Sequence, residues 1–210
     1  MMVGTGVPKL KKIVPSKSRY VPFTQQQSCC APTCMLMVMY RHGIPLLPAE
    51  VLGYHLGLVV SPDMARLFFG ARTSKTLPKS GYGTQIYKRE FEPSRAFAAL
   101  GIPLTFQIWP VVAFATPEDL ASYLEGAEAG DRDVLLCFNY GTLTGNSKKN
   151  GGHLCVFDRM VDGQIRIVDP SQEQPKWRQV KVEDMFKAMQ KHPEQRSAGC
   201  WELGLKNPVA

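Results

Sequence analysis

The run Met35-Leu36-Met37-Val38-Met39 has no polar side chain to turn toward water in any helical arrangement. A helix that is apolar all round is stable only when it is surrounded, so the segment from Pro32 to Tyr40 is expected to form a central buried helix. Pro32 suits its first turn, where the missing N–H would be unpaired anyway. A chain of 210 residues with 44% hydrophobic composition has the apolar material to enclose such a helix in one domain. No apolar run reaches the roughly 18 residues of a membrane span, and the N-terminus has basic residues without the apolar block of a signal peptide. A cytoplasmic protein is expected, with export lacking a cleaved signal as the alternative.

Around that helix the pattern divides. Residues 1–23 hold three prolines and several lysines without hydrophobic periodicity and read as an extended basic arm on the surface. Residues 24–210 read as one domain of α+β class, with a helical lobe to about 130 and a sheet lobe from about 131. In the first lobe, helices are expected from Leu47 or Pro48 to about Leu58, over Asp63 to Phe69 with Ser61 as cap, and from Glu92 to Leu100 before Gly101. Gly70 to Gly83 is a long loop of the kind that gates a site. Leu104 to Trp109 reads as a strand, and Thr116-Pro117-Glu118-Asp119 opens a helix with cap, proline and acids in order. The second lobe carries short strands at Val134 to Asn139, Leu154 to Asp158 and Gln164 to Val168, the last two joined by the hairpin signal Asp162-Gly163. A helix from Val182 to Gln190 and an edge strand from Cys200 to Leu205 complete it.

Charge and cysteine usage narrow the partners. The formal charge is +7, part of it in Lys9, Lys11, Lys12, Lys17 and Arg19, while the remaining basic residues are dispersed among acids. A nucleic-acid surface would instead show a basic stripe interleaved with aromatics, so none is expected. Of the six cysteines, Cys29, Cys30 and Cys34 crowd together, whereas Cys137, Cys155 and Cys200 sit in apolar stretches as small buried hydrophobes. Neither a disulfide framework nor a metal site is expected, because the cysteines are not spread between loops and no paired Cys-x-x-Cys motif occurs. No cofactor is implied.

A cysteine becomes a strong nucleophile as thiolate, a form favoured by a helix N-terminus and a nearby histidine. Cys30 directly precedes the buried helix. Cys34 would lie a turn inside it and Cys29 one residue away from its start, so Cys30 is preferred and Cys29 stays open as the alternative. Upstream lies Gln25-Gln26-Gln27, where an amide could donate to an oxyanion, Gln25 first and Gln26 second. Among four histidines, His42 ends a helix, His55 lies inside one, and His192 precedes Pro193 as a surface or partly packed residue. His153 differs: Gly151 and Gly152 before it give close backbone access, and the hairpin at Asp162-Gly163 returns the chain so that His153 and Asp169 come within a few residues of each other. Asp169 could then fix the imidazole tautomer.

At these residues the chain resembles known families. TQQQSCCAPTCMLMV (24–38) is similar to the nucleophile segment of papain-like enzymes related to the bacteriocin-leader-processing (C39-like) peptidase domains, with Cys30-Ala31-Pro32 at the turn into the helix. GGHLCVFDRMVDGQIRIVDPSQ is similar to their histidine strand and the Asp-Pro after it. Phytochelatin synthases have a comparable layout, here Gly152-His153, Asp169, Pro175-Lys176-Trp177 and Met185 to Met189. Departures are Ala31 where glycine is usual, Thr24 where a glutamine six residues before the nucleophile is usual, and no arginine in Pro170-Ser171-Gln172. The resemblance implies a papain-like fold and a cysteine peptidase acting on a peptide or protein through Cys30, His153 and Asp169, with Gly152 and Trp177 as substrate contacts. The alternatives are an acyl transferase of the phytochelatin-synthase kind and an inactive binding scaffold. The oligomeric state is left open.

Overall fold

The computed structural model describes residues 9–146 and 151–206; residues 1–8 of the expected arm and the last four residues of the expected domain lie outside them. In chain order the elements are β1 (Lys11–Ile13), α1 (Cys30–Arg41), α2 (Ala49–His55), β2 (Val59–Val60), β3 (Arg72–Thr73), α3 (Pro93–Leu100), β4 (Leu104–Pro110), α4 (Pro117–Ala129), β5 (Asp133–Asn139), α5 (Tyr140–Thr144), β6 (Gly152–Val161), β7 (Gln164–Val168), β8 (Trp177–Lys181), α6 (Val182–Gln190) and β9 (Gly199–Leu205). The fold is α+β, with helices leading and an antiparallel sheet dominating the C-terminal half. None of the described helices is long and apolar enough to cross a membrane.

Seven strands form one antiparallel sheet in the order β1-β8-β7-β6-β5-β9-β4. Its side chains alternate between two apolar layers. Leu135, Cys137, Leu154, Val156 and Val168 turn toward α1, α2 and α3, while Leu136, Phe138, Cys155, Phe157 and Ile167 turn toward α4 and α6. All seven residues of β5 are buried, which is why a strand of an antiparallel sheet reads here as a continuous apolar run. Helix α1 buries nine consecutive residues, Ala31 to Met39, against β6 and its neighbours. It takes the central position that its lack of a polar face requires.

The far end of α1 is tied down by Asp133 at the start of β5. This buried carboxylate accepts from the Tyr20 hydroxyl and from Arg41 Nη1, each at 2.5 Å, and meets His42 Nε2 at 2.5 Å. Three chain segments, around Tyr20, at the end of α1 and at the start of β5, therefore converge on one buried charge, whose desolvation is offset by cationic and hydroxyl partners.

Several elements depart from the sequence expectations. The segment opened by Ser61 is a 3-10 turn, Pro62–Leu67, rather than an α-helix, and Ser61 makes no capping bond. None of its side chains is fully buried and only Met64 packs partly on the cluster of Cys29, Leu58 and Val60, so tertiary packing adds little to its weak local preference. Strand β9 is not an edge strand: it pairs with β5 on one side and β4 on the other, and β4, from the expected helical lobe, is the edge. Within the expected arm, β1 pairs antiparallel with β8 as the opposite edge, and Tyr20 is buried. Part of the expected loop, Arg72–Thr73, pairs in parallel with β2.

Local signals held where they were strongest. Asp162 and Gly163 adopt φ of 50° and 70° in the β6–β7 hairpin, the left-handed pair that a two-residue turn requires. Thr116 and Asp119 form a reciprocal capping box on α4. Replacing Met37, fully buried on α1, by alanine should lower the unfolding free energy by about 3 kcal/mol. Thr116→Ala should cost about 1 kcal/mol. Urea denaturation of the two variants checks the order, and equal losses would contradict the central role given to α1.

Candidate active site

Cys30 is the first residue of α1 and is half-buried, whereas Cys29 just before it is fully buried against Leu58 and Val60. No side chain caps this helix end and no acid lies in its first turn, so the free amides and the positive end of the helix dipole are unopposed beside Cys30. Burial, with Cys30 and Glu50 nearby, pushes the Cys29 thiol up to about 12. Cys34 donates to the Leu154 carbonyl at 3.4 Å and burial raises it further. Of the three clustered cysteines, only Cys30 has its sulfur both partly accessible and at the helix start.

His153 stands on β6, one residue after the first, opposite Phe138 of β5. Its Nε2 lies 2.9 Å from Asp169 Oδ1, and both side chains are buried. Asp169 follows the last residue of β7, where the hairpin returns the chain to the level of His153. Its backbone N–H donates to the Lys176 carbonyl, and its Oδ1 also accepts from the Ser171 N–H at 2.9 Å. Burial opposes a charged imidazole, but Asp169 on one side and the Cys30 sulfur on the other outweigh it and carry His153 up to about 10. Burial likewise opposes the Asp169 carboxylate, yet His153, the Ser171 amide and Arg178 hold it well below the usual carboxylate range. With Asp169 ionised, Nε2 carries a proton and Nδ1 is left for exchange with another group.

Cys30 and His153 share the wall of a small chamber of about 40 Å3, with Cys137, Gly152 and His192 also in its lining. Beside it opens a cleft of about 940 Å3 walled by Gln25, Gln27, Lys79, Tyr82, Tyr140 and His153, among others. Gln25 reaches this cleft because its backbone N–H donates to the Pro170 carbonyl at 2.8 Å, which ties it to the Asp169 segment. Its buried side-chain oxygen makes no hydrogen bond among the described residues. Gln26 instead donates through Nε2 to the Leu67 carbonyl at 2.6 Å and does not line the cleft. Gly152 lines both spaces. Trp177 lies in β8 opposite Ile13 and Val168, packs on the α1 layer, and is not part of either wall.

Three neighbours were not singled out in the sequence. Tyr140, the first residue of α5, stacks at a tilt on His153 with ring centroids 4.4 Å apart. Cys137 places its sulfur 3.6 Å from His192 Nε2. His192, expected at the surface or partly packed, is buried, and a Cβ on Gly152 would come within 2.3 Å of its Nε2. The bare Cα of Gly152 thus makes room for an imidazole. The only hint in the sequence was that glycine, which says that something comes close without saying what. Among the described residues, His153, Cys155 and Asp169 bring potential metal-ligand atoms within 4.8 Å of one another. They do not fit a metal: burial and Asp169 keep the Cys155 thiol protonated, and His153 and Asp169 already satisfy each other.

The ionisations give a signed pH dependence. His153 is raised from 6.5, so its contribution to stability is complete below 6.5 and is lost as pH climbs through about 10. Asp169 is lowered from 3.8, so its contribution is complete above 3.8 and disappears as pH falls below it. Asp169→Asn should therefore destabilise the chain most between these limits. Urea unfolding at pH 6 should show a large deficit that narrows by pH 10, and a deficit of constant size would argue against a linked pair.

No profile of a known protein family matches the sequence, and no curated protein matches it. Among solved structures, a protein described as a C39-like peptidase from Bacillus anthracis superposes with a TM-score of 0.54 at 14% identity, over 92% of this chain and 100% of that one. A double-glycine-motif protease from an AMS/PCAT transporter, solved with its leader peptide, superposes with a TM-score of 0.47 at 14% identity, over 95% of this chain and 98% of that one. The first likeness establishes the fold that the chain shares with a C39-like peptidase structure: N-terminal helices followed by a C-terminal antiparallel sheet.

Proposed function

We propose that this chain is a papain-like cysteine peptidase in which Cys30 is the nucleophile, His153 the general acid and base, and Asp169 the group that orients the histidine. The observation that carries the reading is the buried 2.9 Å contact between His153 Nε2 and Asp169 Oδ1 beside the N-terminus of α1, where Cys30 sits. A histidine held protonated on Nε2 by a carboxylate exchanges its second proton through Nδ1, and a helix N-terminus favours the charge that a thiolate carries.

In the reaction the Cys30 sulfur attacks the carbonyl carbon of the scissile bond, and His153 delivers a proton to the departing amine. Water then adds to the thioester with His153 as base and frees Cys30. Negative charge on the tetrahedral oxygen is met by the Gln25 side-chain amide and the free amides at the start of α1. The cleft beside His153, of about 940 Å3, has room for a peptide segment, and its amide and hydroxyl groups suit a backbone substrate. Gly152 lines the cleft beside His153, where it would face such a backbone. Trp177 has no place in this binding scheme, because it packs away from the cleft. All six cysteines are free, which suits a reducing compartment such as the cytoplasm.

Two measurements separate this from an inert scaffold. Iodoacetamide on the native protein, followed by peptide mapping, should label Cys30 and spare Cys29, Cys34, Cys137, Cys155 and Cys200, whose thiols are buried and raised. On a quenched fluorogenic peptide library, Cys30→Ser should remove cleavage, while Gln25→Ala should lower kcat by about 10²-fold. A Cys30→Ser chain that cleaves as fast as the unaltered one would falsify the proposal.

A further inference from the structure

Asp169 has two carboxylate oxygens, and only Oδ1 faces His153. Oδ2 looks the other way, toward the Tyr140 hydroxyl at 3.4 Å and Arg178 Nε at 3.9 Å. Arg178 is among the largest fully buried side chains of the protein, 2% exposed, and it projects from β8 beside the end of β7. Its Nη1 donates to the Trp177 carbonyl at 3.1 Å, and its Nη2 makes no hydrogen bond among the described residues. Its one ion-pair contact among the described residues is with Asp169.

A guanidinium buried so completely costs more in lost hydration than one loose ion pair returns, so stability alone is a poor reason to keep it there. Its effect is felt on the carboxylate. A carboxylate held only through Oδ1 can pivot about its Cβ–Cγ bond and lose alignment with the imidazole; a hydroxyl and a cation facing Oδ2 oppose that rotation. Tyr140 contributes twice, because its ring also lies on His153 while its hydroxyl faces Asp169. Burial and Asp169 keep that hydroxyl protonated, so toward the carboxylate it acts as a donor, with the Ser171 side chain also beside it.

We infer that Tyr140 and Arg178 are positioning residues for the reaction proposed above, clamping Oδ2 of Asp169 so that Oδ1 stays aligned on His153 Nε2. The inference rests on that reading of the site. The other ionisable groups that act on Asp169 or are acted on by it are His153 and Cys155 on β6, Cys34 on α1, and Lys176 ahead of β8, whose Nζ is bonded to the Ser171 carbonyl. Cys155 and Cys34 are neutral thiols, which leaves Arg178 and Lys176 as the cations, with the Lys176 ammonium lowered by burial. Of these, only Arg178 contacts the carboxylate.

The test uses the full chain labelled with 15N-histidine, in Tyr140→Phe and Arg178→Lys forms. Tyr140→Phe removes one hydroxyl and keeps the ring, so it preserves the fold even where Arg178→Lys does not. The midpoint of the His153 ring titration should fall by roughly half to one pH unit in Tyr140→Phe, the worth of one hydrogen bond. The rate of Cys30 alkylation by iodoacetamide at pH 7 should fall severalfold in both variants. Adding Tyr140→Phe to an Asp169→Asn chain should then change that rate no further, because the effect runs through the carboxylate. An unmoved His153 midpoint, or an equal effect of Tyr140→Phe with and without Asp169, overturns the clamp while leaving the loss of cleavage in Cys30→Ser intact. Unimpaired cleavage by Cys30→Ser overturns the clamp together with the reading beneath it.

Discussion

Everything in this structure is arranged around a helix that cannot touch water. From Ala31 to Met39, α1 presents apolar atoms in every direction, and the chain meets this demand by laying one face of a seven-stranded sheet beneath it and packing α2 and α3 against its sides. The sheet then has a second apolar face of its own. That face is covered by α4 and α6, which makes the sheet the middle of three layers and both faces of β5, β6 and β9 interior. The position of Cys30 follows directly: the first residue of a helix buried along its length emerges where the burial ends, at the rim of the sheet.

The same rim gathers the polar groups. The end of β5, the start of β6 and the end of β7 meet there, and Tyr140, His153 and Asp169, at or next to those ends, are drawn together by ordinary antiparallel pairing. Because the surroundings are dry, each interaction is strong and each unpaired group would be costly. The His153 and Asp169 ionisations are therefore mutually dependent: each is disfavoured by burial alone and favoured by the other.

How much of this could be read from the residues depended on how far apart the partners lie. The buried helix, the Asp162-Gly163 hairpin and the Thr116 capping box are set by neighbours within a few positions, and the sequence displays them openly. The meeting of His153 with Asp169 was legible because one tight turn joins their strands. Strand β9 reads as an edge because its neighbours, β4 and β5, lie far upstream, and no local pattern distinguishes a strand paired on two sides from one paired on one side. β1 and β8 leave no local signal for a similar reason: their pairing joins residue 11 to residue 179. Family likeness points Trp177 at the substrate, whereas in the structure it packs on the α1 layer and lines neither space. His192 and Arg178 were hidden more deeply still, since a charged or polar residue in a loop-like context reads as exposed until the fold encloses it.

The anchorage of α1 at Asp133 carries a mechanical consequence. With Arg41 and His42 fixed to one buried carboxylate and Tyr20 packed on it, the far end of the helix can neither slide nor turn. A 12-residue helix is a rod about 18 Å long, and this one is gripped along nearly its whole length. Its free tip inherits its address from the opposite end. The placement of the Cys30 sulfur is thus a property of distant, unreactive side chains, and drift in the loops that wall the cleft can proceed without moving it.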